Sequence, residues 1–264
     1  MKIHLFILLV SLILLSACND NSTESVSTGI PIVEAYLKVG EPVSVKISTI
    51  IPYGSDDMTG TDVNSLSVTV TTDNSTHQLA PLGDGMYVDS SLFVGENKEY
   101  MLTVNYNGIL LTANTIVPAK PENFTQSVTE ITVPVFEIGS GTLPEFPDPV
   151  KLTWTNTDGS YYVVVIENME ENPVAVNEQS NTDRPARTFR NQPSQNSSYE
   201  IQAMQFQYFG RHRLILHHLQ PEYAALFEDN GDNSLNLKEP MTNIQNGLGI
   251  FTAVNSDTLF INVK

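Results

Sequence analysis

Tyr100-Met-Leu-Thr-Val-Asn-Tyr106, then Asn107-Gly108, then Ile109-Leu-Leu-Thr-Ala113 is the stretch whose reading decides the fold. The run before the turn alternates with a period of two, as a strand does when one face is buried and the other is wet. Asn-Gly between two such runs is the strongest short-range hairpin signal, because both central residues of a tight hairpin turn need positive φ. A β-hairpin therefore sits here, and the neighbouring sequence repeats the pattern. Upstream lie Val43-Ser-Val-Lys-Ile47 and Leu66-Ser-Val-Thr-Val70, the latter with Leu66, Val68 and Val70 on one face. Asp84-Gly85 and Gly95-Glu-Asn97 supply further turns. Nothing between residues 31 and 118 holds a helical period. Residues 30–118 are expected to form an N-terminal β-sandwich.

Val117-Pro-Ala-Lys-Pro121 reads as a linker, because two prolines favour extended chain and cannot continue a central strand. Beyond it, residues 122–264 read as a second β domain. Val150-Lys-Leu-Thr-Trp154 puts Val150, Leu152 and the single tryptophan on one face. Asp158-Gly159 turns into Tyr161-Tyr-Val-Val-Val-Ile166, and Tyr199–Ala203 and Arg211–Leu216 continue the series. Trp on one strand, Tyr-x-Val on the next and Tyr-x-Ile later resemble the fibronectin type III pattern. Residues 168–198 depart from it as a long polar insertion. Pro221-Glu-Tyr-Ala-Ala-Leu-Phe227 predicts one short helix, with proline in the first turn and Tyr223, Leu226 and Phe227 on a shared face. Gly249–Ala253 and Thr258–Val263 close the chain as two strands. The expected class is all-β: two tandem β-sandwich domains of immunoglobulin or fibronectin III-like type on a lipid tether, with one short helix in the second.

The tether is read from the other end. Residues 1–17 place Lys2 before the apolar run Leu5–Leu15 and end Leu15-Ser16-Ala17, with Cys18 following. That is the layout of a secretory signal peptide, and the run is short of the roughly 20 residues a membrane span needs. Leu-Ser-Ala-Cys resembles the lipobox of bacterial lipoproteins, which implies cleavage before Cys18 and acylation of its thiol with palmitate-type chains. The alternative is an ordinary signal peptide followed by a chance cysteine. Cys18 is the sole cysteine, so no intrachain disulfide and no cysteine-based catalytic or metal site can form. Residues 18–29 then form a polar, lipidated tether. Asp20 and Glu24 do not choose between the periplasmic and the surface face.

With 30 acidic and 13 basic residues the chain carries a net charge of −17, which excludes nucleic acid bound through its phosphates. Anionic lipid surfaces would repel it as a whole.

Several segments recur together in one family: Pro31-Ile-Val-Glu-Ala-Tyr36 with Pro42-Val-Ser-Val45, the Trp154 strand, Ser160-Tyr-Tyr-Val-Val164, Phe209-Gly-Arg-His212, Glu222-Tyr-Ala224 and Asn246-Gly-Leu-Gly-Ile-Phe251. They resemble the Bacteroidota lipoprotein family catalogued as domain of unknown function four-two-four-nine, across nearly the whole mature chain. The resemblance implies a lipoprotein of the cell outer membrane, often encoded beside a TonB-dependent outer-membrane receptor. It implies no activity, and Cys18 is the one residue it assigns.

Candidate chemistry is sparse. In Arg211-His-Arg-Leu-Ile-Leu-His-His218, strand parity puts His212 and His218 on one face, roughly 20 Å apart, and His217 on the other, so no shared metal ion is expected. Asp229-Asn-Gly-Asp-Asn-Ser234 is rich in oxygen ligands but lacks the EF-hand order, and Glu239 misses the spacing of its bidentate ligand. The carboxylate pairs Asp56-Asp57 and Glu170-Glu171 read as solvated loop acids. Gly-x-Ser-x-Gly, His-Glu-x-x-His and phosphate-cradling glycine loops are absent from the sequence. No catalytic residue, cofactor or metal is therefore expected.

Arg184, Arg187 and Arg190 stand out in the polar insertion, with Arg211 and Arg213 close behind, so that five of thirteen basic residues fall within 30 positions. Guanidinium forks suit carboxylate, sulfate and phosphate groups, which makes Arg184, Arg187 and Arg190 candidate partner-binding residues. The competing reading pairs them with Glu170, Glu171 and Glu178. The expected function is a non-catalytic accessory or binding lipoprotein beside a TonB-dependent transporter. The alternatives are a stand-alone surface glycan-binding protein or adhesin and, more weakly, a hydrolase whose site is built from loops.

Overall fold

A computed structural model describes residues 29–50, 63–135, 145–177, 185–227 and 241–264. The hairpin that opened the reading is present as β7 (Glu99–Tyr106) and β8 (Ile109–Ile116), paired in register from Glu99 opposite Ile116 to Tyr106 opposite Ile109. Asn107 and Gly108 take φ of 50° and 85°, the two positive values that a two-residue turn matching strand twist requires. Together with β3 (Ser67–Thr72) and β4 (Ser75–Gln78) they form a four-stranded sheet in the order β4-β3-β7-β8.

Facing it is part of a nine-stranded sheet. Its first-sandwich strands are β1 (Pro31–Lys38), β2 (Pro42–Thr49), β5 (Ala80–Gly83) and β6 (Met86–Phe93). Alternate residues of β1, β2, β3 and β7 point inward, so Val33, Leu37, Val45, Ile47, Val68, Leu102 and Val104 meet in one core with Tyr87 and Tyr100. Both tyrosines find partners for their hydroxyls: Tyr87 donates to the Val63 carbonyl at 3.0 Å and Tyr100 accepts from the Gly95 N–H at 2.8 Å. Such pairing is what makes burying a phenol tolerable.

The second sandwich uses the rest of the long sheet: β12 (Tyr161–Asn168), β13 (Thr188–Arg190), β15 (Gly210–Leu219) and β16 (Leu248–Val263), with β10 (Glu130–Ile131) paired to β16. Its partner is the three-stranded sheet of β9 (Thr125–Gln126), β11 (Val150–Thr153) and β14 (Ser198–Ile201). Between them Val150, Leu152, Trp154, Val164, Ile166, Leu214 and Leu216 make a second core. The expected short helix is α1 (Pro221–Ala224), continued by a 3-10 turn over Ala225–Phe227. Tyr223 packs edge-on to Tyr36 at 5.8 Å and against Phe227 at 5.4 Å, whereas Leu226 is exposed.

The strand that joins everything is β16. Its first half, Leu248–Val254, runs parallel to β1; its second half, from Val254 on, runs antiparallel to β15. The two terminal runs anticipated as separate strands are thus one 16-residue strand. Pro118–Pro121 lies between the two cores, but strand membership does not divide there: Ile244, Phe251 and Ala253 belong to the first core. Linker atoms are pinned as well, with Pro118 and Ala119 carbonyls accepting from Asn255 and His218.

The long polar insertion at 168–198 is in part built into the sheet. Its described parts lie against strands: β13 pairs with β12, Tyr162 and Ser194 exchange backbone hydrogen bonds at 2.8 and 3.0 Å, and Ala175 bridges Tyr208. The physical reason is the edge of β12, whose unpaired backbone groups need partners in a sheet this wide. Pro185 and Pro193 bracket β13 and keep it to three residues, which is why no strand pattern shows in the sequence.

Candidate functional site

Register decides what the outer face of the long sheet carries. Thr188 of β13 lies opposite Glu167 of β12, Glu167 opposite Arg213 of β15, and Arg213 opposite Phe260 of β16. The next row on the same face is Arg190, Val165, Ile215 and Thr258. Arg211 shares the parity of Arg213 and completes the group. Residues between them, such as Ile166, Leu214 and Leu216, fill the core, so strand alternation leaves the arginines facing outward.

Each guanidinium of the group is held by a neighbour. Arg211 lies over the Phe260 ring at 4.3 Å, and Arg190 over the Phe227 ring at 5.0 Å. Arg213 Nε donates to Glu167 Oε2 at 2.7 Å. Arg187 donates through Nη2 to the Glu170 carbonyl oxygen. Stacking on a ring occupies the flat face of a guanidinium and leaves its in-plane N–H donors directed outward. Arg187 and Arg213 also line a cleft of about 480 Å³ with Glu167, Asn168, Met169 and Thr188. Glu170 caps the β15 end instead of pairing with a side chain: its Oε1 accepts the Arg211 backbone N–H at 2.7 Å.

The three arginines named from the sequence thus part company. Arg187 lines the cleft, Arg190 sits one row away beside the aromatic group of Tyr36, Tyr223 and Phe227, and Arg184 lies outside the described residues. Arg211 and Arg213 take up the site with them, and the clamps Phe227 and Phe260 could be found only from register. Of the acids offered as competing partners, Glu170 uses a carbonyl toward Arg187 and Glu178 lies outside the described residues. Glu167, not singled out beforehand, is the acid that pairs. Cys18, Asp56-Asp57, Asp229–Ser234 and Glu239 also lie outside the described residues.

The three histidines of β15 are each committed. His212 is buried, donates from Nδ1 to the Gly210 carbonyl at 3.1 Å and meets the Asn168 amide at 3.3 Å through Nε2. Burial pushes its pKa down. His218 Nδ1 donates to the Ala119 carbonyl at 2.8 Å while the ring stacks on Tyr162 at 4.7 Å. His217 faces the other way, with Nδ1 2.7 Å from Ser256 Oγ. Burial first, then the Lys38 charge, push its pKa down to about 4. Ser256–His217 is a hydroxyl–imidazole contact the sequence did not announce, but a neighbouring cation and so low a basicity oppose its acting as nucleophile and base. Among the described residues no group of three or more His, Cys, Asp or Glu side chains could hold a metal ion.

A smaller recess of about 150 Å³ lies between the Pro118–Pro121 linker and the second sandwich, lined in part by Lys120, Glu122, Asp158, Tyr162 and His218. Hydrogen bonds from Ser160 hold Asp158 below the usual carboxylate range, and burial raises the Tyr162 phenol. Both shifts keep these groups in their ordinary charge states at neutral pH.

Fold and site together define an all-β protein of two sandwiches that share a sheet, with an arginine-bearing outer face. The chain belongs to the family described as Domain of unknown function (DUF4249), which it matches over residues 21–259. No curated protein matches it. Among solved structures, the crystal structure of chicken CNTN1 FN1-FN3 domains is similar at 10% identity with a TM-score of 0.27, covering 72% of this chain. The match spans 60% of that chain's length.

Proposed function

We propose that this protein is an exported, lipid-anchored and non-catalytic binding protein of the cell outer membrane. Cys18 carries the lipid, and the arginine face docks the chain as an accessory of a TonB-dependent transporter. The observation that carries the docking role is the convergence of Arg190, Arg211 and Arg213 on one sheet face, beside Arg187, in a chain of net charge −17. The lipobox-like Leu15-Ser-Ala-Cys18 supports the anchor, and among the described residues no helix is long and apolar enough to cross a membrane. The transporter rests on the family resemblance.

A stand-alone glycan-binding role would use exposed aromatics, which are Tyr36, Phe93, Phe146, Phe189 and Phe260 among the described residues; Tyr36 meets Tyr223 edge-on and Phe260 carries Arg211. A hydrolase has the Ser256–His217 contact for support, and among the described residues no acid is hydrogen-bonded to that imidazole. The test is affinity purification of the tagged full-length protein from detergent-solubilised outer membranes, alongside the Arg190→Glu/Arg211→Glu/Arg213→Glu variant. Recovery of a TonB-dependent receptor with the unaltered protein and its loss with the variant is expected; identical partners for both would overturn the docking role. Intact-mass measurement of the mature chain and of Cys18→Ser checks the anchor, and a mature chain without lipid on Cys18 would sink it.

A further inference from the structure

All five arginines of the protein lie between residues 184 and 213, and no lysine occurs between Lys151 and Lys238. The segregation carries information. A surface that needs only positive charge, for instance to rest on lipid phosphates, is served by lysine and arginine alike. A surface that must meet planar two-oxygen groups in fixed orientation is served by arginine alone, through paired N–H donors. Here the guanidinium groups are also fixed in advance: Arg190 by Phe227, Arg211 by Phe260 and Arg213 by Glu167. Holding the side chains in place before binding lowers the entropy lost on docking.

Part of the ground between the charges is apolar. Val165 and Ile215 are half-buried on the same face, and Phe260 is 43% exposed. Arginine set among aromatic and aliphatic side chains is the composition of protein–protein contact centres, and the lysine on this face, Lys38, lies apart from the arginines beside His217. Arg211 and Arg213, two residues apart on one strand, stand roughly 7 Å apart along it, and Arg190 lies about 10 Å across from β15 at two strand spacings. Alternate side chains of an extended peptide repeat at the same interval of roughly 7 Å.

We infer that this face binds an extended polypeptide segment whose carboxylates alternate with apolar residues, each carboxylate seated on an arginine fork. The inference rests on the docking role proposed above and specifies the chemistry of the partner. Glu167, already paired with Arg213 Nε, marks how a carboxylate is taken and leaves the terminal nitrogens of Arg213 for a second one.

The experiment titrates the full-length protein in detergent with a synthetic peptide of alternating glutamate and valine, its glutamine–valine counterpart and inorganic phosphate. Binding is followed by calorimetry, and co-sedimentation with phosphatidylglycerol-containing vesicles is measured separately. The glutamate peptide should bind, and the glutamine peptide should bind at least about 10-fold more weakly. Arg211→Lys/Arg213→Lys keeps the charge and removes the forks; it should weaken the glutamate peptide by about 10-fold with an unchanged thermal transition. Phe260→Leu, which removes one clamp, should weaken it several-fold. Equal binding by the lysine variant, or equal binding of both peptides, would overturn the inference. So would arginine-dependent sedimentation with vesicles when no peptide binds, which would put lipid phosphate in the place of polypeptide. If the triple glutamate variant loses its receptor while the peptide never binds, the docking role stands and the partner chemistry assigned here falls. Peptide binding with no receptor recovered has the opposite meaning.

Discussion

The first sandwich draws its core from Val33 to Val117 and then, across most of the chain, from Ile244, Phe251 and Ala253, whereas the second draws every core residue from Phe124 to Val263. One is closed by a segment from the far end of the chain and the other by its own neighbours. Both closures are made by β16, parallel to β1 and antiparallel to β15. Parallel neighbours cannot be joined by a tight turn, so the β1–β16 pair had to come from distant parts of the chain. The difference also separates roles. In the first sandwich, lysines meet acids singly at exposed sites, as Lys38 with Glu41 and Lys98 with Asp73. In the second, arginines gather on one face of strands whose other face is core.

The largest test of this contrast is to cut the chain. A fragment ending at Lys120 loses Ile244, Phe251 and Ala253 from its core and leaves β1 without its β16 neighbour. It should show no cooperative transition in denaturant by circular dichroism, whereas 122–264 should retain one. A cooperative transition in the shorter fragment would break the comparison, because its core would then close without β16.

Gly249 sharpens the same point at one atom. Its φ is +103°, and a Cβ there would stand 1.9 Å from the Val33 carbonyl oxygen on the paired strand. Gly249→Ala forces either the backbone conformation or the β1–β16 spacing to give. A loss of about 3 kcal/mol is expected in urea unfolding. A loss under about 1 kcal/mol would mean that the parallel pairing is not held closely.

His217 tests the outer face of the shared sheet. Its ordinary pKa is 6.5 and burial pushes it down to about 4 in the folded protein. Above pH 6.5 both folded and unfolded chains carry it neutral, and it has no effect on the pH dependence. As pH falls from 6.5 toward 4 the unfolded chain takes up the proton and the folded chain does not, so stability is lost across that window. The loss amounts to up to about 3 kcal/mol and is complete below the folded pKa. Carboxylates titrate there too, so the measurement is the difference between wild type and His217→Gln. Parallel pH profiles for the two proteins would show that His217 is not held neutral.

The smallest effect belongs to the Arg213–Glu167 pair. Its side chains are 44% and 33% exposed, and solvent screens it. Arg213→Ala should cost under about 1 kcal/mol in thermal unfolding, although the same face governs docking. A larger loss would assign Arg213 to holding the sheet together and would favour local pairing over recognition.

Much of this was legible residue by residue. The Tyr100–Ala113 hairpin, the faces of the Leu66–Val70 and Val150–Trp154 strands, the opposed histidines and the short helix at Pro221 all rest on local rules of alternation, turn geometry and proline placement. So does the concentration of arginine between 184 and 213, which composition alone displays. What was not legible has one cause. Alternation says that a residue faces out; it does not say which residues of other strands face out beside it. Thr188-Phe-Arg190, three exposed residues between prolines, gives no period to read, and it becomes a strand only because β12 presents an open edge.

By itself, then, the amino-acid order determined an all-β chain, its turns, its inward-facing residues and its store of arginine, since each depends on neighbours within a few positions. The tertiary structure decided that Leu248–Val263 is one strand serving both sandwiches, that Phe227 and Phe260 clamp Arg190 and Arg211, and that Arg213 joins Arg187 in one cleft. Those outcomes depend on register between strands far apart in sequence. Register is settled by burying both cores at once, because a slip of one residue would turn Arg211 and Arg213 inward and Leu214 and Leu216 out.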